Sequence, residues 1–587
     1  MYSRVLARCA RSSPLLLGVG LTLSEASNSS SSPSLARSEE PALPIVVVGG
    51  GAGGATLAWA VAHALPSQSV LLVHSGPRYG GETSSPFLGD WWTVFGAHTS
   101  AAEAVYRDGS PHPVTPVIPA SGGASAHDTR ITFIPTGPYA EVLCKKLGQS
   151  QSQLDVYVQA TLNLMPLRHT LPGGEPFFDR VIKTAHTKGY SKFAPSPSFD
   201  AVVVPDGLAY VAVASFPPHP TFEGDGPVRW APAMLLHDDV RPRNLRILSN
   251  TTVRRLVVSN PADGNTSSRK VEGVMVFDEK SGKQYIVKAS EVALAAGALT
   301  TPALLSGAGV QLKATGRDHQ EMAVEHAMLP APKGEATPTG GCTSWPCIWI
   351  GGQHFLAHIG VSAPPYNTTF GLVLTPNLQT PSERFEVKLL GGDKNNNPLQ
   401  ELQVVWENPG KDFPALSAAY RRGVALMSDL ENAGVVGPRT FPPLSDDVSD
   451  DATLRRLFSE HGGTAFHWAC TTAVDAADPE SAADGSFKVR GISGVRVASA
   501  AALPEIPPAN PHFTITMLSL ACADQIARDY LGDKYVEAKH LQTARDNLRE
   551  SKGQFVRRAA GEEQPATMDL AFKMAKLWKD AVEKDIE

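Results

Sequence analysis

Along the chain, the sharpest run of apolar positions is Ile45-Val46-Val47-Val48, an unbroken β-branched stretch that predicts a short buried strand. Gly49-Gly50-Gly51-Ala52-Gly53-Gly54 follows directly, and residues 55–65 continue as an alanine-rich stretch that predicts a helix. A second apolar run at 69–73 completes a strand–turn–helix–strand unit. Further strands are predicted at 244–247, around Val253 and at 292–296. Four more runs, at 347–359, 369–375, 385–390 and 402–406, are separated by turn residues, as in an antiparallel sheet. Residues 513–526 predict an apolar helix, whereas 534–587 is charged with a helical pattern and reads as a solvated surface extension.

The glycine turn carries chemistry. Binding a dinucleotide needs glycine at 49 for the tight turn, at 51 for backbone approach to a pyrophosphate and at 54 for close helix–strand packing, with the phosphates on the helix N-terminus. About twenty residues further on, where an acid usually binds ribose hydroxyls, stands His74. An imidazole can bond a hydroxyl through either nitrogen, although a strand-end surface histidine would have no such role.

Length and composition narrow the remainder. A chain of 587 residues suits two or more domains, and a net charge of -6 provides no basic field for nucleic acid. The six cysteines are scattered, which argues against a disulfide scaffold or a four-ligand zinc site; only Cys342 and Cys347 are near neighbours, and they read either as a loop disulfide or as two free thiols. Arg4, Arg8 and Arg11 share a helical face, and Glu25 is the only acid before Glu39, a pattern expected of a mitochondrial presequence. A secretory signal with its apolar core at 15–23, or a plastid address, is the alternative. No run approaches the roughly eighteen apolar residues of a membrane-spanning helix, so no transmembrane segment is expected. The serine-rich stretch at 27–34 reads as a linker, with the folded body starting near Pro41.

Beyond the glycine turn, several segments in the right order resemble the glucose-methanol-choline (GMC) oxidoreductases, across most of residues 44–533. Gly122-Gly123-Ala124-Ser125-Ala126-His127-Asp128 is similar to the family segment that lies along FAD. Phe466-His467-Trp468-Ala469-Cys470-Thr471 resembles the family's histidine-proline-x-glycine-threonine segment. Residues 489–504 followed by Ala509-Asn510-Pro511 resemble the strand and loop that deliver a second active-site residue. The resemblance implies an α/β fold: a Rossmann-like FAD-binding domain from 41–150, 231–325 and 460–535, with a substrate domain of antiparallel-sheet (α+β) type from 151–230 and 326–459. Residues 1–40 would be targeting segment and linker, and 536–587 a helical C-terminal extension.

The same resemblance implies FAD-dependent oxidation of a small alcohol by hydride transfer to flavin, in the manner of choline oxidases and dehydrogenases. The electron acceptor, oxygen or a quinone or other carrier, is left open, as is the alcohol. His467 would be the base that removes the hydroxyl proton, and Asn510 would hold the substrate oxygen or orient the imidazole. Gly49, Gly51, Gly54, His74, Gly122, Gly123, Ser125, His127, Asp128, Val253, Gly297, Ser499 and Ala500 would surround the cofactor. Some choline-oxidase-like members bond a histidine at the place of His127 covalently to the flavin; a histidine packed beside it is the other reading. The helix after Asn510 would turn its positive end toward the flavin N1 and C2 carbonyl. His461 and His512 read instead as solvated or helix-start residues. Trp468 stands where the family has proline, Cys470 where it has glycine, Ser499 where it has aspartate and Asp128 where asparagine is common. The altered residues around His467 and Ser499 motivate one rival, a flavin-binding protein without turnover; a flavin lyase or decarboxylase is another, since the same fold does not fix the reaction.

Overall fold

The structure is a computed structural model, and it describes residues 42–76, 100–107, 115–117, 123, 131–169, 176–192, 207–210, 212–216, 228–259, 269–312, 315–335, 348–351, 355–362, 371–378, 380–389, 402–407 and 410–551. The predicted opening unit is present as β1 (Ile45–Val48), α1 (Ala52–Ala64) and β2 (Val70–Val73). Every residue of β1 is buried, which explains why the run is continuously apolar rather than alternating: a parallel strand covered on both faces has no solvent side. The sheet adds β3 (Leu245–Leu248), β4 (Glu291–Leu294) and β5 (Val495–Val497), in the order β3-β2-β1-β4-β5. All four pairings are parallel. Stretches hundreds of residues apart thus build one doubly wound sheet, with α2 (Gly297–Gly307) leaving β4 and the long α3 (His512–Leu531) packing on α1.

One apolar core gathers β1, β2, β4, β5, α1 and α3. It also takes in the helix Gln151–Leu164, whose Leu154, Val156, Tyr157 and Val158 are buried there. Its Tyr157 hydroxyl donates to Asp524 Oδ2 of α3 at 2.8 Å. The first core therefore runs past the boundary expected at residue 150, because the apolar face of this helix needs α3 as its partner.

The described part of the C-terminal stretch, through Ser551, also differs from its expectation as a solvated extension. The helix Lys539–Glu550 buries Leu541 and Ala544 in the same core. Its Arg545 donates to Gln153 Oε1 at 3.0 Å and its Asn547 to Asn163 Oδ1 at 3.2 Å, while His540 packs 5.3 Å from Trp59. Only two buried apolar residues anchor a helix otherwise rich in charge, which is why its pattern read as solvent-facing.

A mainly antiparallel sheet contains Gly371–Leu378 between Phe355–Ser362 and Val324–Ala327, with Ile348–Gly351 beyond Phe355–Ser362. The long helix Phe413–Asn432 packs on it through a second apolar core that includes Leu374, Tyr420 and Met427. The strands Phe385–Leu389 and Leu402–Trp406, predicted as part of this sheet, instead pair with each other and with Ser100–Tyr106. Among the described residues no helix is long and apolar enough to cross a membrane.

Candidate active site

The glycine turn is as crowded as its proposed chemistry requires. A Cβ on Gly54 would lie 1.8 Å from the Gly49 carbonyl oxygen, and one on Gly53 would lie 2.5 Å from that of Ala498. Gly49 adopts φ +104° and donates its N–H to Val73 at 2.7 Å, which fastens the turn to β2. Gly123, the described member of the second glycine pair, sits directly over the turn, since a Cβ on it would meet Gly51 Cα at 3.0 Å. The first turn of α1 has no acidic residue and no side-chain cap, so its N–H groups are left for an anion. Gly122, Ser125, His127 and Asp128 lie outside the described residues.

His74 ends β2 against this turn: its ring is 3.0 Å from a Cβ position on Gly50, and its backbone bonds Leu248 and Thr251. The ring is buried, which pushes its pKa down to about 4, and Nδ1 has no partner among the described residues. It is therefore a neutral imidazole with an unmet nitrogen at the place where ribose hydroxyls are expected. Gly297 takes φ +78° at the start of α2, with no atom of the described residues within 4 Å of a Cβ placed on it. Val253 is buried on the strand Thr251–Val258, which belongs to a separate three-stranded sheet.

Near the C-terminus the structure brings His467 and Asn510 together. Asn510 Nδ2 is 3.1 Å from His467 Nε2, and Asn510 Oδ1 is buried without a partner among the described residues. α3 begins two residues later, with no acid in its first turn. Two residues with no spacing signal complete the cluster, Asp318 and His319, which lie about 150 positions earlier in the chain. The His467 N–H donates to Asp318 Oδ1 at 2.8 Å, and the Thr464 hydroxyl donates to Asp318 Oδ2. His319 Nδ1 lies 2.8 Å from His467 Nδ1, with the rings edge to face at 87°. Full burial pushes the Asp318 carboxyl up to about 7, against the pull of its hydrogen bonds. Burial and the neighbouring Asp318 push Glu321 up to about 8. His461 ends its helix in solvent, and His512 opens α3 while packing edge-on to Trp230.

The departures from the family pattern have physical reasons. Cys470 adopts φ +69°, so it keeps the left-handed backbone that glycine would supply, and its N–H donates to the Ala500 carbonyl at 3.0 Å. Burial pushes its thiol up to about 12, so it is a buried filler rather than a thiolate. Trp468 fills a cluster with Phe385 and Trp406, at ring separations of 4.8 and 5.6 Å, against Ala298 and Leu299 of α2. Thr471 donates to the Ala298 carbonyl at 2.6 Å, tying the His467 segment to the first turn of α2. Ser499 caps the short turn Ala500–Ala502 by accepting from the Ala501 N–H at 3.2 Å, a role an aspartate side chain would also fill.

Comparison with known proteins agrees with this arrangement. Profiles of the two parts of the GMC oxidoreductase family match residues 230–324 and 381–519. The chain carries the N- and C-terminal domains of the GMC oxidoreductases, in the pattern of a divergent member. Choline oxidase of Arthrobacter globiformis is 25% identical over 339 residues, 53% of this chain. Oxygen-dependent choline dehydrogenase of Staphylococcus epidermidis is 25% identical over 51% of it. Each match spans 60% of the relative's own length. Among solved structures, formate oxidase of Aspergillus oryzae superposes with a TM-score of 0.67 at 17% identity, covering 84% of this chain and 99% of that one. Pyridoxine 4-oxidase of Mesorbium loti gives 0.63 at 18% identity, covering 82% and 99%. These likenesses establish the Rossmann-like FAD-binding fold of this chain. FAD is the family's cofactor, and the glycine cradle, the acid-free start of α1 and the unmet nitrogen of His74 fit its pyrophosphate and ribose.

Proposed function

We propose that this GMC oxidoreductase oxidises the CH–OH group of a small alcohol. The observation that carries the reading is the meeting of His467 Nε2 with the Asn510 amide, whose Oδ1 is buried without a partner among the described residues. When bound, FAD supplies the two-electron acceptor for the hydride. His467 Nε2 takes the hydroxyl proton, since an alcohol releases hydride only as that proton leaves. Asn510 Nδ2 has a second N–H to give to the substrate oxygen as its negative charge grows, and the positive end of α3 favours the same charge. The names of relatives that act on choline, formate and pyridoxine support small-molecule oxidation as the class.

The altered residues favour turnover rather than a degenerate site. Cys470, Trp468 and Ser499 each preserve backbone or packing around His467 instead of disrupting it. In His467→Ala, FAD is expected to remain bound while its reduction by alcohol slows by roughly a hundredfold or more, the usual scale for losing a general base. Stopped-flow absorbance measures this, and unchanged reduction would remove His467 from its role.

A further inference from the structure

His467 is gripped from three sides: its backbone by Asp318, its Nε2 by Asn510 and its Nδ1 by His319. The grip on Nδ1 is built into the fold. Residues Gln320–Glu321 pair antiparallel with Gly463–Thr464, and the Ala465 N–H donates to the His319 carbonyl at 2.8 Å. His319 is itself 3% exposed, and its ring stands edge-on to His467 at 5.1 Å. Neither imidazole is free to slide away from the other.

Two ring nitrogens 2.8 Å apart form a hydrogen bond only when one holds a proton and the other holds a lone pair. If His319 were the donor to a neutral His467, the His467 proton would sit on Nε2, and that atom could accept nothing. If His467 is the donor, Nε2 is bare. The Asn510 amide selects between the two, because its Nδ2 faces Nε2 at 3.1 Å, and an N–H pointed there requires a lone pair.

We propose that His319 is a positioning residue that locks His467 in the Nδ1–H tautomer, leaving on Nε2 a lone pair that Asn510 holds until the substrate hydroxyl takes its place and the Asn510 N–H turns to the substrate oxygen. The inference rests on the reading of His467 as the base. The step balances simply: the O–H bond breaks, its proton forms an N–H bond at Nε2, and the electron pair stays on the substrate oxygen. The resulting imidazolium keeps donating Nδ1–H to the His319 lone pair, which delocalises its charge. His319 thus does for His467 what an orienting acceptor does for any catalytic histidine, fixing tautomer and ring angle together. A neutral acceptor here adds no fixed negative charge of its own.

The test uses the full chain with isotope-labelled histidine and ring-nitrogen NMR above neutral pH, with His467→Gln to assign the His467 signals. Wild type is expected to show His467 protonated at Nδ1 and bare at Nε2. His319→Leu, which removes the acceptor, is expected to move the proton to Nε2 and slow flavin reduction by about a hundredfold, the scale of a lost general base. His319→Asn retains an acceptor oxygen near the old Nδ1 position and is expected to restore the tautomer and most of the rate. A wild-type His467 protonated at Nε2, or one tautomer shared by all the His319 variants, overturns the proposal, and the wild-type spectrum alone decides if His319→Leu does not fold. A His467→Gln protein that reduces flavin at the wild-type rate would remove the base reading instead, a result separate from the tautomer.

Discussion

Asp318 is a fully buried carboxyl that anchors the backbone of His467, and replacing it with asparagine changes how the stability of the fold responds to pH. Its pKa is 3.8 when unfolded and about 7 in the folded protein, because burial penalises the charged form more than the Thr464 and His467 bonds favour it. Between these values the folded state holds a proton that the unfolded state has released, so the group destabilises the fold as pH rises. The gap is worth about 4 kcal/mol in full at roughly 1.4 kcal/mol per pH unit, and about 3 kcal/mol of it accrues between pH 4 and pH 7. Asp318→Asn removes this titration and keeps a side chain of the same shape. Urea unfolding of both proteins across this range is the assay. The difference between them cancels groups that do not feel Asp318, including His74, whose depressed pKa destabilises the fold as pH falls from 6.5 toward 4; Glu321, which Asp318 helps to push up, adds to the difference in the same direction. The expected result is that the variant gains about 3 kcal/mol relative to wild type on going from pH 4 to pH 7. A difference that stays flat with pH would show that Asp318 is ionised throughout and would refute the account of its burial.

Two further perturbations probe the scaffold. Gly54→Ala forces a methyl group 1.8 Å from the Gly49 carbonyl oxygen, so α1 must move off β1; a loss of about 3 kcal/mol and a drop in FAD content are expected from urea unfolding and the flavin-to-protein ratio. Arg496 is buried between Glu291 and Asp529, and Arg496→Met strands the Glu291 carboxylate in the core, which should cost roughly 3–5 kcal/mol in the same unfolding assay.

The parallel sheet was legible because its strands are buried on both faces and therefore read as unbroken apolar runs, with the glycine turn marking the order of elements. Cys470 shows the limit of reading by residue type: its side chain departs from glycine, yet its backbone takes the glycine conformation. The expected meeting of His467 with Asn510 is present at 3.1 Å, over 43 positions of sequence. Asp318 and His319 were invisible for a physical reason. They reach His467 through a two-residue antiparallel pairing of Gln320–Glu321 with Gly463–Thr464, and a pairing that short leaves no periodicity in either segment. The docking of Lys539–Glu550 was missed similarly, since two buried residues in twelve make no recognisable stripe.

The central claim, that this protein passes hydride from an alcohol to bound FAD, is tested most directly by mixing the purified flavoprotein anaerobically with a panel of small alcohols and following the visible flavin absorbance. The account predicts that at least one alcohol bleaches the flavin bands in wild type and does so far more slowly in His467→Ala. Protein that holds FAD but is reduced by none of the alcohols, or equally fast with and without His467, would contradict it.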